Sequence, residues 1–161
     1  MYYRHRGQGD ALPPGVTRVE RNRTELRALA SRDPPPGLLG YEGSTPVGWV
    51  SLGPRDDYAK LRTSPVMRPV DGQSVWSIVC FVVPTEHRRR GVAVALLRGA
   101  IEYARQHGVR TLEAYPVDLA QVPSSQSLWF GTMAMYEAAG FHEVARRKPG
   151  RPVVRLTWAS A

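Results

Sequence analysis

This sequence predicts a single α/β domain, and three features predict it. At 161 residues the chain has the length of one domain. Residues 75–83 form a near-continuous apolar run rich in aromatic and β-branched side chains, which reads as a central strand covered on both faces. Directly after it, apolar residues recur at helical spacing, and strand and helix patterns then alternate to the C-terminus. The order is helix, hairpin, long loop, strand, helix, strand, helix, strand, strand, as expected of helices packed on one mixed sheet.

Residues 1–19 are polar and broken by Pro13-Pro14-Gly15. They read as an N-terminal tail or a degenerate first strand ahead of a domain at 20–158. Residues 22–32 predict a helix with Asn22 or Thr24 as its cap and Leu26, Leu29 and Ala30 on one face. Asp33-Pro34-Pro35-Pro36-Gly37 stops it. Two short apolar runs, 37–42 and 46–52, flank a hairpin link at 42–45. A proline-rich connection at 54–73 follows, with one helical turn expected near 58–61; loops of that length in a small domain are often functional.

After the central strand, Pro84 marks a stop. A helix is expected from 91 to 106, where Ala93, Leu96, Leu97, Ala100, Ile101 and Ala104 share a face and Gly108 suits the C-terminal cap. Residues 109–117 read as a strand, 118–127 as a polar loop, and 131–139 as a short helix closed by Gly140. Residues 141–146 and 152–158 read as antiparallel strands joined at Lys148-Pro149-Gly150.

Composition narrows the function. No run approaches the roughly 18 apolar residues of a membrane span, and residues 1–8 lack the apolar core of a secretory signal. One cysteine, Cys80, allows neither an intramolecular disulfide nor a cysteine metal cluster, so a reducing cytoplasm and no metal are expected. His87, His107 and His142 are not spaced as metal ligands. The formal charge of +8 comes mostly from arginine and suits an anionic ligand. The basic residues are scattered, apart from Arg88-Arg89-Arg90 and Arg146-Arg147-Lys148, and no nucleic-acid-binding motif is present. Neither nucleic acid nor membrane is therefore expected as a partner.

The most informative segment is Val83-Pro84-Thr85-Glu86-His87-Arg88-Arg89-Arg90-Gly91-Val92-Ala93, between the central strand and the helix. A helix start offers unpaired N–H groups and the positive end of the helix dipole. Gly91 admits a ligand close to the main chain, and Ala93 obstructs it little. The segment therefore predicts a diphosphate site.

Arg88-Arg89-Arg90-Gly91-Val92-Ala93 also resembles the Arg/Gln-x-x-Gly-x-Gly/Ala loop of the GNAT superfamily of acetyl-CoA-dependent N-acetyltransferases. Tyr136-Glu137-Ala138-Ala139-Gly140-Phe141 is similar to that family's Tyr-x-x-x-Gly-Phe. The two motifs stand in the right order on the right elements, and the resemblance covers about residues 20–158. It implies a mixed, mostly antiparallel sheet with splayed central strands and flanking helices. It implies acetyl-CoA as acyl donor, with the diphosphate held by the backbone of Arg89, Arg90, Gly91, Val92 and Ala93 next to Arg88. The pantetheine arm would lie along the edge of Phe81, Val82 and Val83.

The reaction so implied is direct attack of a primary amine on the thioester. The expected acceptor is a small molecule, with a protein amine as the alternative; homodimerisation is left open. By resemblance Tyr136 faces the departing sulfur as general acid. A phenol near pKa 10 protonating a thiolate near 8.5 runs uphill by roughly 2 kcal/mol, which favours a hydrogen-bonding role. The central strand has no acidic residue, so Glu113 and Asp118 become the candidate bases, with Glu86 less well placed. Trp129 and Phe130, with Tyr58 and Tyr115, either line an acceptor pocket or form core. Asp56, Asp57 and Asp118 could meet a cationic amine. The competing reading is a non-catalytic acyl-CoA sensor or scaffold of the same fold, which the missing strand glutamate supports.

Overall fold

The computed structural model describes Leu12, residues 14–122 and residues 128–158. In chain order the elements are α1 (Arg18–Ala30), β1 (Gly37–Glu42), β2 (Thr45–Pro54), α2 (Ala59–Thr63), β3 (Trp76–Val82), α3 (Val92–Gln106), β4 (Thr111–Ala114), α4 (Met133–Ala138), β5 (His142–Arg146) and β6 (Pro152–Thr157). Short 3-10 turns lie at Arg55–Asp57, Thr85–His87 and Leu128–Phe130. The six strands form one sheet in the order β1-β2-β3-β4-β6-β5. Only β3 and β4 run parallel; every other pair is antiparallel. The fold is the mixed, mostly antiparallel sheet expected from the sequence.

The start of α1 differs from the expectation. Thr17, not Asn22 or Thr24, is its cap: Glu20 N–H donates to Thr17 Oγ1 at 3.2 Å, and Thr17 N–H donates back to Glu20 Oε2 at 2.8 Å. This reciprocal box satisfies two orphan donors, and such caps contribute about 1 kcal/mol. The Thr-x-x-Glu signal stood in the sequence five residues upstream of Asn22 and seven upstream of Thr24. The helix therefore crosses residue 19, where the tail was expected to end; residues 1–11 and 13 of that tail lie outside the described residues. The strand expected at 109–117 is paired only over Thr111–Ala114.

Two apolar clusters lie on opposite faces of the sheet. On one face α3 buries Leu96, Leu97, Ala100 and Ala104 against Val50, Leu52, Ile78, Leu112 and Val154, with Tyr136 and Phe141 completing the layer. A Cβ at Gly48 would stand 2.8 Å from Val92 and 2.9 Å from Leu96, so this glycine allows α3 its close approach to β2. On the other face Tyr58, Leu61, Val79, Tyr115, Phe130 and Val153 form the second cluster, with Met67 and Cys80 at its margin. Neighbours in one strand, Ile78 and Val79 or Val154 and Val153, separate cleanly between the faces because strand side chains alternate.

The feature that positions the site is a split in the sheet. β3 and β4 pair only at Trp76–Leu112, Ser77–Glu113 and Ile78–Ala114. β3 then continues to Val82 against β2 alone, with Val79 as an extra residue between the pairs Leu52–Ile78 and Ser51–Cys80. Bulges bend a strand and strengthen its local twist. Past Ile78, the edge of β3 that faced β4 has no strand partner among the described residues.

Candidate active site

A groove of about 740 Å³ opens where β3 leaves β4. Phe81, Val82 and Val83 form one wall, residues 87–89 and 91–94 form its floor and mouth, and Leu128 and Trp129 close the far side. Val82, Val94, Leu128 and Trp129 expose apolar surface here, Trp129 to 47 %. The polar end follows from the turn into α3. Arg89 takes a left-handed conformation with φ 58°, and Gly91 does so at φ 80°. Such backbone is costly for a side chain bearing a Cβ and is concentrated at functional sites. The first backbone bond of α3 runs from Ala95 N–H to the Gly91 carbonyl at 3.0 Å, which leaves the earlier amides to the groove. A Cβ at Gly91 would meet nothing within 4 Å, so the main chain there borders open space.

The three arginines of this turn do different things. Arg88 Nε donates to the Val83 carbonyl at 3.0 Å, tying the turn to the end of β3. Arg89 lines the groove with no protein partner among the described residues. Arg90 points away. Its Nη2 meets Glu42 at 2.9 Å, and it lines a separate hollow between β1 and α3. His87 also lines the groove.

Tyr136 lies directly behind the groove wall. Thr132 caps α4 and sets the helix so that Tyr136 packs edge-on against Phe81 at 6.5 Å and Phe141 at 5.0 Å. The ring is fully buried, and its hydroxyl has no hydrogen-bond partner among the described residues. Burial, with a smaller contribution from nearby Cys80, pushes the phenol far above its ordinary range. The hydroxyl therefore stays protonated, and full proton transfer from it is harder than its ordinary pKa suggests. Cys80 is partly buried, and burial raises its thiol too, in keeping with a core residue.

The structure places Glu113 in a buried ionic network. Its side chain is fully buried, and both oxygens are taken. Oε1 accepts from Arg55 Nη1 and from the Tyr115 hydroxyl at 2.7 Å, while Oε2 accepts from Arg155 Nε at 2.9 Å. Arg155 reaches on to Asp71 at 2.6 and 3.0 Å, and Arg55 Nη2 donates to the Met67 and Leu61 carbonyls at 2.6 and 3.2 Å. Ser77 closes the network on the Tyr115 hydroxyl at 2.9 Å. Held between two guanidiniums and away from the groove lining, Glu113 ties the 55–71 loop to β4 and β6.

Asp118 is also engaged, bonded to Arg146 at 2.8 Å, and Asp57 meets Arg32 at 3.3 Å. Glu86 sits on the exposed turn before Arg88. Phe130, Tyr58 and Tyr115 are core, while Trp129 belongs to the groove. No group of three or more His, Cys, Asp or Glu suited to a metal occurs among the described residues, and none of their helices is long and apolar enough to cross a membrane.

An α/β domain whose parallel strand pair parts beside a glycine-marked helix start is the class these features define. The chain belongs to the acetyltransferase (GNAT) family, which it matches over residues 4–141. Solved structures agree at the level of fold. A ribosomal-protein-alanine N-acetyltransferase from Brucella melitensis is 24 % identical with a TM-score of 0.55, covering 86 % of this chain and 78 % of its own. An N-acetyltransferase from Staphylococcus aureus Mu50 is 16 % identical with a TM-score of 0.56, covering 88 % and 78 %. The NatC complex bound to Gag peptide and CoA gives 14 % identity and a TM-score of 0.53, covering 84 % and 79 %. No curated protein matches the chain.

Proposed function

We propose that this protein is an N-acetyltransferase that uses acetyl-CoA to acetylate a primary amine. The observation that carries the reading is the groove itself, which joins an unpaired strand edge to a helix start with open amides. Those surfaces fit the two halves of coenzyme A. The amides of residues 89–93 and the Arg89 guanidinium would hold the diphosphate. The free edge at Phe81, Val82 and Val83 would hydrogen-bond the pantetheine amides as an added strand does. Bound there, acetyl-CoA would supply the activated acetyl thioester. A backbone N–H at the end of β3 is suited to stabilise charge on the thioester oxygen. The unsatisfied Tyr136 hydroxyl would donate a hydrogen bond to the departing sulfur, and its raised pKa favours donation over transfer of the proton.

With Glu113 and Asp118 both engaged, the amine has to arrive unprotonated or lose its proton to water. This condition favours acceptors of low pKa. A lysine-like amine near pKa 10.4 is neutral in about one molecule per 2,500 at pH 7, against roughly a tenth for a peptide α-amine near 8. A peptide N-terminus therefore becomes the leading acceptor over the small alkylamine expected from sequence.

The same missing base favours a second reading, an acyl-CoA sensor without turnover. Calorimetry with CoA and a thiol-release assay over an amine panel separate the two. Binding with acceptor-dependent thiol release supports the enzyme. Binding with no release from any amine supports the sensor, and no CoA binding sinks both.

A further inference from the structure

On the face of the sheet opposite α3 and α4, three segments meet around the β5–β6 hairpin. Arg147 draws in the 64–70 loop, its Nη1 donating to the Val66 and Arg68 carbonyls at 3.1 and 2.8 Å and its Nη2 to the Pro69 carbonyl at 3.0 Å. Arg146 holds the start of the 118–122 loop through Asp118 and is itself shared with Glu143 at 2.6 Å. Asp118 N–H donates to the Gly150 carbonyl at 3.1 Å. A hollow of about 380 Å³ remains at the tip, lined by Gln121, Arg146, Arg147, Lys148 and Pro149.

The charges at this tip do not cancel. Asp118 and Glu143 share Arg146, a trio with one net negative charge against the three positive charges of Arg68, Arg147 and Lys148. Arg147 meets only carbonyl oxygens, which leave its charge in place. Lys148 and Arg68 are exposed, and their side chains meet no carboxylate among the described residues. Arg147 and Lys148 therefore line the hollow without a paired carboxylate among the described residues, and Arg68 is exposed on the loop that Arg147 draws in beside it. The hairpin tip packs towards the groove through core: the Arg151 guanidinium lies 4.1 Å from the centroid of buried Phe130, whose neighbour Trp129 lines the groove. Val117, just before Asp118, exchanges backbone bonds of 2.9 Å with Gly131 and Met133, at the start of the helix that carries Tyr136. Two of the three acids that might have greeted a cationic amine are engaged, Asp57 by Arg32 and Asp118 by Arg146, while Asp56 is exposed.

We propose that Arg68, Arg147 and Lys148 form an anion subsite for the acceptor, so that the substrate class is amines carrying a carboxylate or phosphate group. The inference rests on the acetyl-transfer reading and deepens it. The anion comes either from acidic side chains behind a peptide N-terminus or from a small amino acid or aminophosphonate; the chemistry recognised is the same. Arg147 has its geometry fixed by three carbonyls, whereas Arg68 and Lys148 remain adjustable, so charge reversal at the latter pair probes the subsite while leaving the loop anchored.

The test uses the full chain saturated with CoA, together with the Arg68→Glu/Lys148→Glu double variant. Calorimetry measures binding of free-N-terminus peptides with glutamate, serine or lysine at positions 2–4, and of β-alanine and 2-aminoethylphosphonate against uncharged amines. The acidic peptide or the anionic small amine should bind about tenfold more tightly than its neutral counterpart at low salt, and which of the two does so identifies the source. The double variant should abolish or invert that preference with CoA affinity unchanged. Equal binding of all probes, no binding of any, or a preference that survives the charge reversal overturns the subsite. Thiol release is scored separately: its absence with every amine sinks the acetyltransferase reading while the binding preference still judges the subsite.

Discussion

The arginines of the α3 turn and the arginines of the buried cluster are the same residue put to opposite uses. At the turn, Arg89 has no protein partner among the described residues, and Arg90 makes one pair with Glu42 in which both side chains are more than half exposed. Such exposed pairs contribute about 0–1 kcal/mol. Beneath the 55–71 loop, Arg55 and Arg155 are only 7 % and 6 % exposed and saturate both oxygens of Glu113. The first region keeps positive potential available to a ligand. The second consumes it to fasten a loop from one strand end across β4 and β6. The overall charge of +8 is therefore a poor guide to where an anion binds; what each guanidinium already meets is the better one.

The largest expected effect breaks the buried side of the comparison. Glu113→Gln leaves Arg55 without its anion and Arg155 with Asp71 alone, and breaking such a buried pair costs about 3–5 kcal/mol. For a domain of this size the melting temperature should fall by roughly 10 °C. Turnover per folded molecule, counted by CoA binding, should stay near wild type. Intact stability with collapsed turnover would return Glu113 to the role of base.

On the open side, Gly91→Glu forces a side chain into left-handed backbone and sets a negative charge at the helix start. Strain of about 1–3 kcal/mol plus repulsion should weaken CoA on the order of 100-fold. Calorimetry reads this directly, and unaltered affinity would move the coenzyme away from the turn.

The two regions were not equally legible in the sequence. The turn was, because its signals are local: an apolar strand, Pro84, a glycine and a helical repeat in consecutive positions. The split in the sheet came only from the family resemblance, since three-pair registry between β3 and β4 depends on residues more than thirty positions apart. The buried cluster was missed. Arg55, Asp71, Glu113 and Arg155 are scattered along the chain, and their meeting is a tertiary event. One signal was present: Glu113 between Leu112 and Ala114, and Arg155 between Val154 and Leu156, are opposite charges inside apolar strand runs. Charges almost never sit fully buried unless paired, so each called for a partner.

Tyr136→Phe sharpens the groove side with a smaller change. The hydroxyl is buried without a partner among the described residues, so removing it forfeits no hydrogen bond in the free protein. Melting temperature and CoA affinity should hold, while kcat falls about tenfold through loss of a donor to the leaving sulfur. Because burial keeps the phenol protonated, the wild-type rate profile should show no tyrosine limb below pH 10. A large drop in CoA affinity would make Tyr136 a packing residue.

The smallest effect tests the rim of the buried cluster. Asp71 is partly exposed, and its hydrogen bonds with Arg155, foremost, hold its carboxyl down at about 2 from an ordinary 3.8. A depressed folded-state pKa means the contribution is fully present above 3.8 and is lost as pH falls towards 2. Asp71→Asn should therefore melt slightly below wild type at pH 7, with the gap narrowing as the pH drops from 4 to 3. A gap that stays constant across that window would mean that Asp71 holds its loop through shape, and that only Glu113 anchors the two arginines by charge.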